Sequence, residues 1–152
     1  MSVAIRVSVQ EADFDAGDAC RALTSSDCGA IVQFVGVMRA RNEGDEVVSM
    51  RLEHYPGMTE RSITDIAEQA ARRWSLGEVL VIHRIGELLP GQQIVLVAVS
   101  AAHRQAAFSG CEFIMDYLKT QAPFWKKEQL LDGRSRWVDA RSSDASAALR
   151  WD

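Results

Sequence analysis

Lys119 and Lys126 flank Gln121-Ala122-Pro123-Phe124-Trp125, at the end of a run that strings basic and aromatic residues from His103-Arg104 to Glu128. Proline lacks the helical amide and its ring crowds the preceding turn, so a helix reaching Lys119-Thr120 must stop before Pro123. That break lets both ammonium groups enter one pocket, whereas a continuous helix would separate them. A lysine held among other cations and apolar walls gives up its proton more readily, as nucleophilic or general-base work requires. Spacing alone leaves an ordinary surface pair equally open.

Two further basic clusters point the same way. Arg39 and Arg41 sit with Asn42 and Gly44 just after an apolar run, where a guanidinium can meet a phosphate through two parallel hydrogen bonds or simply face solvent. His103-Arg104 begins a helical pattern, and the unpaired amides and positive dipole end of a helix start favour an anion. Other chemistries find little support. His54, His83 and His103 with Cys28 or Cys111 have no metal-ligand spacing, Ser100 lacks a Gly-x-Ser-x-Gly turn, and Gly29, Gly36 and Gly44 are too far apart for a nucleotide loop.

The elements that must position these groups follow from periodicity. Alternation makes Ala4 to Val9 a strand, Asp15 to Leu23 a short helix, and the β-branched run Gly29 to Val37 a buried strand. Met38 to Asp45 reads as a polar loop and Val47 to Tyr55 as a strand, after which Pro56 suits a helix start. Ile63, Ile66, Ala67, Ala70 and Trp74 form one helical stripe, ended by Gly77. Glu78 to Arg84 and Gln92 to Ser100 are strands around a turn spanning Gly86 to Gly91. A helix over His103 to Thr120 buries Ala107, Cys111, Ile114, Met115 and Leu118. Asp132-Gly133 is a hairpin turn into Trp137-Val138, and residues 139–152 form a polar, Ala-rich tail with helical character.

Short crossings and few helices make the class α+β, with a mixed, mostly antiparallel sheet and helices packed on it. A chain of 152 residues with 47% hydrophobic content is one domain, residues 1–152. A net charge of −4 argues against general nucleic-acid or membrane binding, so an anion site must be local. No apolar stretch approaches the roughly 20 residues that span a bilayer, and no signal-peptide core opens the chain, which makes it cytoplasmic. Cys20, Cys28 and Cys111 form neither a disulfide framework nor a zinc knuckle and read as small core residues.

Five blocks in order carry a family resemblance: Phe34-Val35-Gly36-Val37-Met38-Arg39; Leu52-Glu53-His54-Tyr55-Pro56-Gly57-Met58; Val81-Ile82-His83-Arg84-Ile85-Gly86; Ala102-His103-Arg104 with Ala107-Phe108; and Met115-Asp116-Tyr117-Leu118-Lys119 running into Ala122-Pro123-Phe124-Trp125-Lys126-Lys127-Glu128. From about Gly29 to Val138 the chain resembles the large, catalytic subunit of molybdopterin synthase.

The resemblance implies an α/β-hammerhead fold and a sulfurtransferase of molybdenum cofactor biosynthesis. Members convert cyclic pyranopterin monophosphate to molybdopterin by installing two sulfurs as a dithiolene. The sulfur comes from the C-terminal Gly-Gly thiocarboxylate of a small ubiquitin-like subunit, and the large subunit forms a homodimer within a heterotetramer. No cofactor or metal is implied, since molybdenum enters later on another protein. Carried over by position, the substrate contacts fall on Val37, Met38, Arg39, His103, Arg104, Lys119, Lys126, Lys127 and Glu128. Lys119 and Lys126 would be catalytic; Arg39, His103 and Arg104 would hold the phosphate and the pterin edge, partly from the other protomer. Phe34, Met115, Pro123, Phe124 and Trp125 would wall the groove for the extended tail. Met38 departs from the family in being larger and less polar than many relatives there, so a backbone contact would survive and a side-chain contact would not. The alternative is a non-catalytic adaptor for a ubiquitin-like tail or a phosphate ligand.

Overall fold

The computed structural model describes residues 4–138 and 142–151, the side chains of 142–145 excepted. In chain order the elements are β1 (Ala4–Gln10), α1 (Ala16–Ala22), β2 (Ala30–Val37), β3 (Arg41–Asn42), β4 (Asp45–His54), α2 (Met58–Trp74) and β5 (Glu78–Arg84). Then come β6 (Gly86–Leu88), β7 (Gln93–Ala101), α3 (Arg104–Gln121), β8 (Phe124–Leu130), β9 (Ser135–Val138) and α4 (Ser142–Leu149). The class is α+β, as the pattern implies, but the strands divide into two sheets.

The first sheet runs β1-β5-β7-β2, and only its β1–β5 pair is parallel. The central strands β5 and β7 are mostly apolar on both faces because both are covered, whereas β2, read from its β-branched run as a buried strand, lies at the sheet edge and is only partly buried, with Phe34 and Val37 exposed. One face packs Val79, Val81, Val95, Val97 and Val99 under Ile63, Ala67 and Ala70 of α2 and Ala107, Cys111 and Ile114 of α3. The other lays Leu80, Leu96 and Ala98 against Ala19 and Leu23 at α1. Burial at roughly 25 cal/mol per Å² of apolar surface makes this two-sided core the main stabilising term. The second sheet runs β3-β4-β8-β9, with β6 also on β4, around Met38, Val47, Met50, Leu52, Leu88 and Leu130.

Several boundaries differ from the sequence reading for local reasons. α2 starts at Met58, two residues after Pro56, where the Gly57 amide donates to Glu60 Oε2 at 2.6 Å. It ends on Ser75 in the left-handed region, φ 53°, and not on Gly77. Gly77 is needed for another reason: a Cβ there would lie 2.4 Å from Cys28 Sγ, where the chain enters β5. The loop after Met38 holds a tight hairpin, with Glu43 and Gly44 both at positive φ between the paired Asn42 and Asp45. The Gly86 to Gly91 turn contains β6, and the stretch after Pro123 is the strand β8. Cys111 is buried, whereas Cys20 and Cys28 are half-buried, so core placement holds for one cysteine. Trp74 and Met115 are half-buried edges of their stripes.

Three devices shape the seam between the sheets. The β2–β7 register slips between Gly36 and Val37, and a Cβ on Gly36 would meet Val95 Cγ1 at 2.7 Å, so glycine permits the strands to close just before Val37 to Arg39. The α3-to-β8 reversal is pinned by fully buried Thr59, whose hydroxyl accepts from the Tyr55 amide at 2.9 Å and donates to the Pro123 carbonyl at 3.0 Å. Finally, the β8–β9 hairpin turns at Gly133, φ 94°, as Asp132-Gly133 implied.

Candidate functional site

A cleft of about 450 Å³ opens at this seam. Phe34 to Arg39 form one wall, and Met115, Leu118, Lys119 and Thr120 from the last turns of α3 form another. Phe124, Lys126 and Glu128 of β8 close it, with Arg41, Asn42 and His83. Strand alternation explains the β8 set. Phe124, Lys126 and Glu128 share the inward face, and Trp125, Lys127 and Gln129 point outward. Lys126 is paired in register with Leu52, and Glu128 with Met50, so both stand on the apolar side of the second sheet.

Lys119, four residues before the proline, and Lys126, three after it, both line this cleft. The pocket predicted from the helix break exists. Four cations border it, Arg39, Arg41, Lys119 and Lys126, against the carboxylate of Glu128. That carboxylate is committed: Asn42 Nδ2 donates to one oxygen at 2.9 Å and Arg136 Nε to the other at 3.0 Å. Arg136 also donates to Asp45 at 2.8 Å and to the Asn42 carbonyl at 2.9 Å, tying the β3–β4 hairpin to β8 and β9. Glu128, 6% exposed, therefore braces the cleft wall and leaves the basic groups to set the local potential. Arg136 has its pKa raised, first by the hydrogen bond to Glu128.

The other positions named from sequence separate clearly. Val37 lines the cleft and is exposed. Met38 lines it too, but its side chain is in the second core, its amide donates to the Gln92 carbonyl at 2.9 Å, and its carbonyl accepts from Gly91 at 2.8 Å. Both backbone groups are thus already paired. Lys127 faces away, its ammonium 5.5 Å from the Trp137 ring centroid. His103 and Arg104 are exposed at the start of α3, as the helix reading required, but they do not line this cleft. Sixteen residues of helix rise, ~1.5 Å each, separate His103 from Lys119 by ~24 Å. Of the expected apolar walls, Phe34, Met115 and Phe124 border the cleft; Pro123 and Trp125 do not.

Sequence reasoning weighed His83 only as a metal ligand and did not place it at the site. It is the penultimate residue of β5 and lines the cleft, 8% exposed, with its ring stacked on Phe124 at 3.8 Å between centroids and 20° between planes. Burial is the first cause that pushes its pKa down to about 4, and the charges of Lys126, Lys119 and His54 push the same way. A histidine in a Val-Ile-His-Arg strand gives no periodic signal, so only the tertiary structure brings it to the lysines.

Residues 9–121 match the family model described as MoaE protein. The molybdopterin synthase catalytic subunit of Vibrio cholerae is 60% identical over 148 residues, 97% of this chain and 98% of that one. The molybdopterin biosynthesis MoaE protein of Burkholderia ambifaria has the same fold, with a TM-score of 0.82, 50% identity and 97% of each chain covered. A distant chain, 18% identical with a TM-score of 0.68 over 91% of this chain and 90% of that one, shares the fold; it comes from the protein-protein complex of subunits 1 and 2 of molybdopterin-converting factor of Helicobacter pylori. By its sequence and its architecture, this chain belongs to the MoaE family.

Proposed function

We infer that the chain is the catalytic subunit of a molybdopterin synthase, transferring sulfur from a thiocarboxylated, ubiquitin-like small subunit to cyclic pyranopterin monophosphate. The observation that carries this reading is the convergence of Lys119, Lys126 and Arg39 on one apolar-walled cleft in a member of this family. Arg39 binds the cyclic phosphate with its planar fork, and Arg41 adds charge beside it. Lys119 and Lys126 stabilise the negative charge that develops as sulfur attacks and the phosphate ring opens, and they supply protons to leaving oxygens. Held on a helix end and a strand, they need little reorganisation during the reaction. The partner's Gly-Gly tail enters along Phe34 and Met115, which line the cleft, and exposed Phe34 and Val37 extend its apolar path outward.

His103 and Arg104 serve the cleft of a second protomer, which is the arrangement their ~24 Å distance from Lys119 along α3 calls for. Val37 contributes from the rim, Met38 and Glu128 by shaping the wall, and Lys127 from the outer face of β8, toward the docked small subunit. The protein works as one domain in the cytoplasm, and no helix among the described residues is long and apolar enough to cross a membrane.

The test is turnover with cyclic pyranopterin monophosphate and thiocarboxylated small subunit, reading molybdopterin as its oxidised fluorescent derivative. Product from the wild type is expected; tight partner binding without product would replace the synthase reading with an adaptor. Mixed dimers test the shared site. Lys119→Ala and Arg104→Ala homodimers should each be nearly inactive, and co-expressed heterodimers should regain up to half of the wild-type activity. No recovery in isolated heterodimers would overturn the two-protomer arrangement.

A further inference from the structure

Sulfur transfer has a hydrolytic half as well as a nucleophilic one. A thiocarboxylate sulfur that has bonded to a substrate carbon is still joined to its acyl carbon, so substrate and partner are linked as a thioester. Releasing the sulfur requires water to attack that acyl carbon, and an attacking water needs a proton acceptor.

The cleft offers few. Its titratable groups among the described residues are Arg39, Arg41, His83, Lys119, Lys126 and Glu128. Arginine stays protonated, and the lysines enter the reaction as ammonium groups that stabilise negative charge, holding no lone pair until they have given up a proton. Both oxygens of Glu128 are held by Asn42 and Arg136. His83 differs. Its Nδ1 is 2.8 Å from the Arg84 carbonyl oxygen, which only accepts, so the proton resides on Nδ1 and Nε2 carries the lone pair. The stack on Phe124, two residues from Lys126, and the bond to Arg84 fix the ring from its face and its edge.

Resting on the synthase reading, we propose that His83 is a catalytic base of this cleft, its Nε2 accepting a proton from the water that cleaves the thioester between small subunit and substrate. The water oxygen forms a bond to the acyl carbon as one of its protons moves to Nε2. The carbon–sulfur bond then breaks, and the electron pair leaves on the substrate sulfur as a thiolate. The partner is released as a carboxylate, its remaining acid proton going to solvent, and the imidazolium returns its proton to the thiolate or to solvent. The same cycle serves each sulfur. Lys126 from β8, Lys119 from α3 and His54 from β4 act on the imidazole and, with burial as the leading cause, keep it neutral in the empty site. A bound phosphate, and the oxyanion that develops as water adds to the thioester carbon, bring negative charge, which favours the protonated imidazole and raises its basicity when a base is needed.

The experiment is a quenched single turnover with wild type, His83→Asn and His83→Gln, using thiocarboxylated small subunit and cyclic pyranopterin monophosphate. Intact mass of the small subunit detects the substrate adduct, and fluorescence detects product. Asn keeps a donor for the Arg84 carbonyl but has no base at the Nε2 position; Gln retains polarity nearer that position without basicity. In both variants the adduct should form at close to the wild-type rate and break down ~100-fold more slowly or worse, with small-subunit affinity unchanged. Adduct breakdown within about threefold of wild type in either folded variant would overturn the role of His83, as would slower adduct formation with normal breakdown, the signature of a positioning role alone. A wild type that binds the small subunit yet forms neither adduct nor product would overturn the synthase reading itself.

Discussion

The buried imidazole of His83 also makes a quantitative claim on stability. Its pKa is about 4 in the folded chain and ~6.5 when unfolded. Above pH 6.5 both states hold it neutral, and the folded state loses nothing by burying it. As pH falls below 6.5 the unfolded chain takes up a proton that the folded chain refuses until pH reaches about 4, so stability declines across that window and levels off below it. At pH 5 the gap to 6.5 is 1.5 units at ~1.36 kcal/mol each, or ~2 kcal/mol, and the complete window contributes ~3 kcal/mol. Such a loss is a large part of the ~5–15 kcal/mol that holds a domain folded. Urea unfolding of wild type and His83→Asn at pH 5, 6 and 7.5 isolates the term, because the carboxylates titrate in both proteins. Losing the stack on Phe124 costs the variant ~1 kcal/mol at every pH. Wild type should therefore begin more stable at pH 7.5 and lose ~2 kcal/mol more than the variant by pH 5. Because burial leads the shift, most of that difference should persist in 0.5 M salt. Parallel stability curves, within ~0.5 kcal/mol across the range, would refute the reasoning, as would an imidazole proton resonance titrating near 6.5.

The remaining substitutions separate chemistry from bracing. Lys119→Ala should retain the dimer and small-subunit binding while losing at least ~100-fold in product formation; normal turnover would remove the residue from the mechanism. Arg39→Ala should act chiefly on substrate binding, raising KM ~10-fold or more, in line with the ~1.5–3 kcal/mol of a charge-assisted contact, and an unchanged KM would count against the phosphate assignment. Thr59→Val deletes both hydrogen bonds at the Tyr55 and Pro123 junction, at a cost of ~2 kcal/mol and roughly 4–8 °C in Tm; a Tm within 1 °C of wild type would show the clamp to be dispensable. Glu128→Gln should cost ~1 kcal/mol, since Arg136 is partly exposed and keeps Asp45. It should lower kcat with little change in KM, and a selective rise in KM would restore Glu128 as a direct substrate ligand.

How far the fold was legible depended on how much burial wrote itself into a regular period. β5 was read at its observed bounds because every residue from Val79 to Val81 is apolar, and α2 was recognised as a helix, though not at its exact ends, because its buried positions repeat at helical spacing. β8 escaped notice since Phe-Trp-Lys-Lys-Glu-Gln-Leu looks like a basic run, yet its burial alternates as a strand's must. The charges on its inner face are there because the cleft needs them, which is where composition misleads. β6 escaped because three residues that begin at the left-handed Gly86 and stop just before the Pro90-Gly91 turn have no period to display. Ser75 took the helix end from Gly77 because a left-handed residue was needed before Leu76 turned into the core, while glycine was required two residues later to pass Cys28. Within the site, residue type and family resemblance named Lys119, Lys126 and Arg39. They could not show that Glu128 is occupied by Asn42 and Arg136, contacts that span 86 residues in the chain and 8 across a hairpin.

The geometry of α3 joins these observations. An uninterrupted helix from Arg104 to Gln121 holds its anion-seeking start and its lysine end at a fixed separation too great for one small substrate. Within a single protomer, His103-Arg104 therefore lie away from the cleft that Lys119 and Arg39 line. Pairing two protomers so that the start of one α3 meets the end of the other brings them together. Each helix then touches two clefts. In the proposed arrangement, one α3, held against the first sheet by buried Ala107, Cys111, Ile114 and Leu118, would present His103-Arg104 to one cleft and Lys119 to the other, which is why the mixed-dimer experiment tests both ends of the same helix.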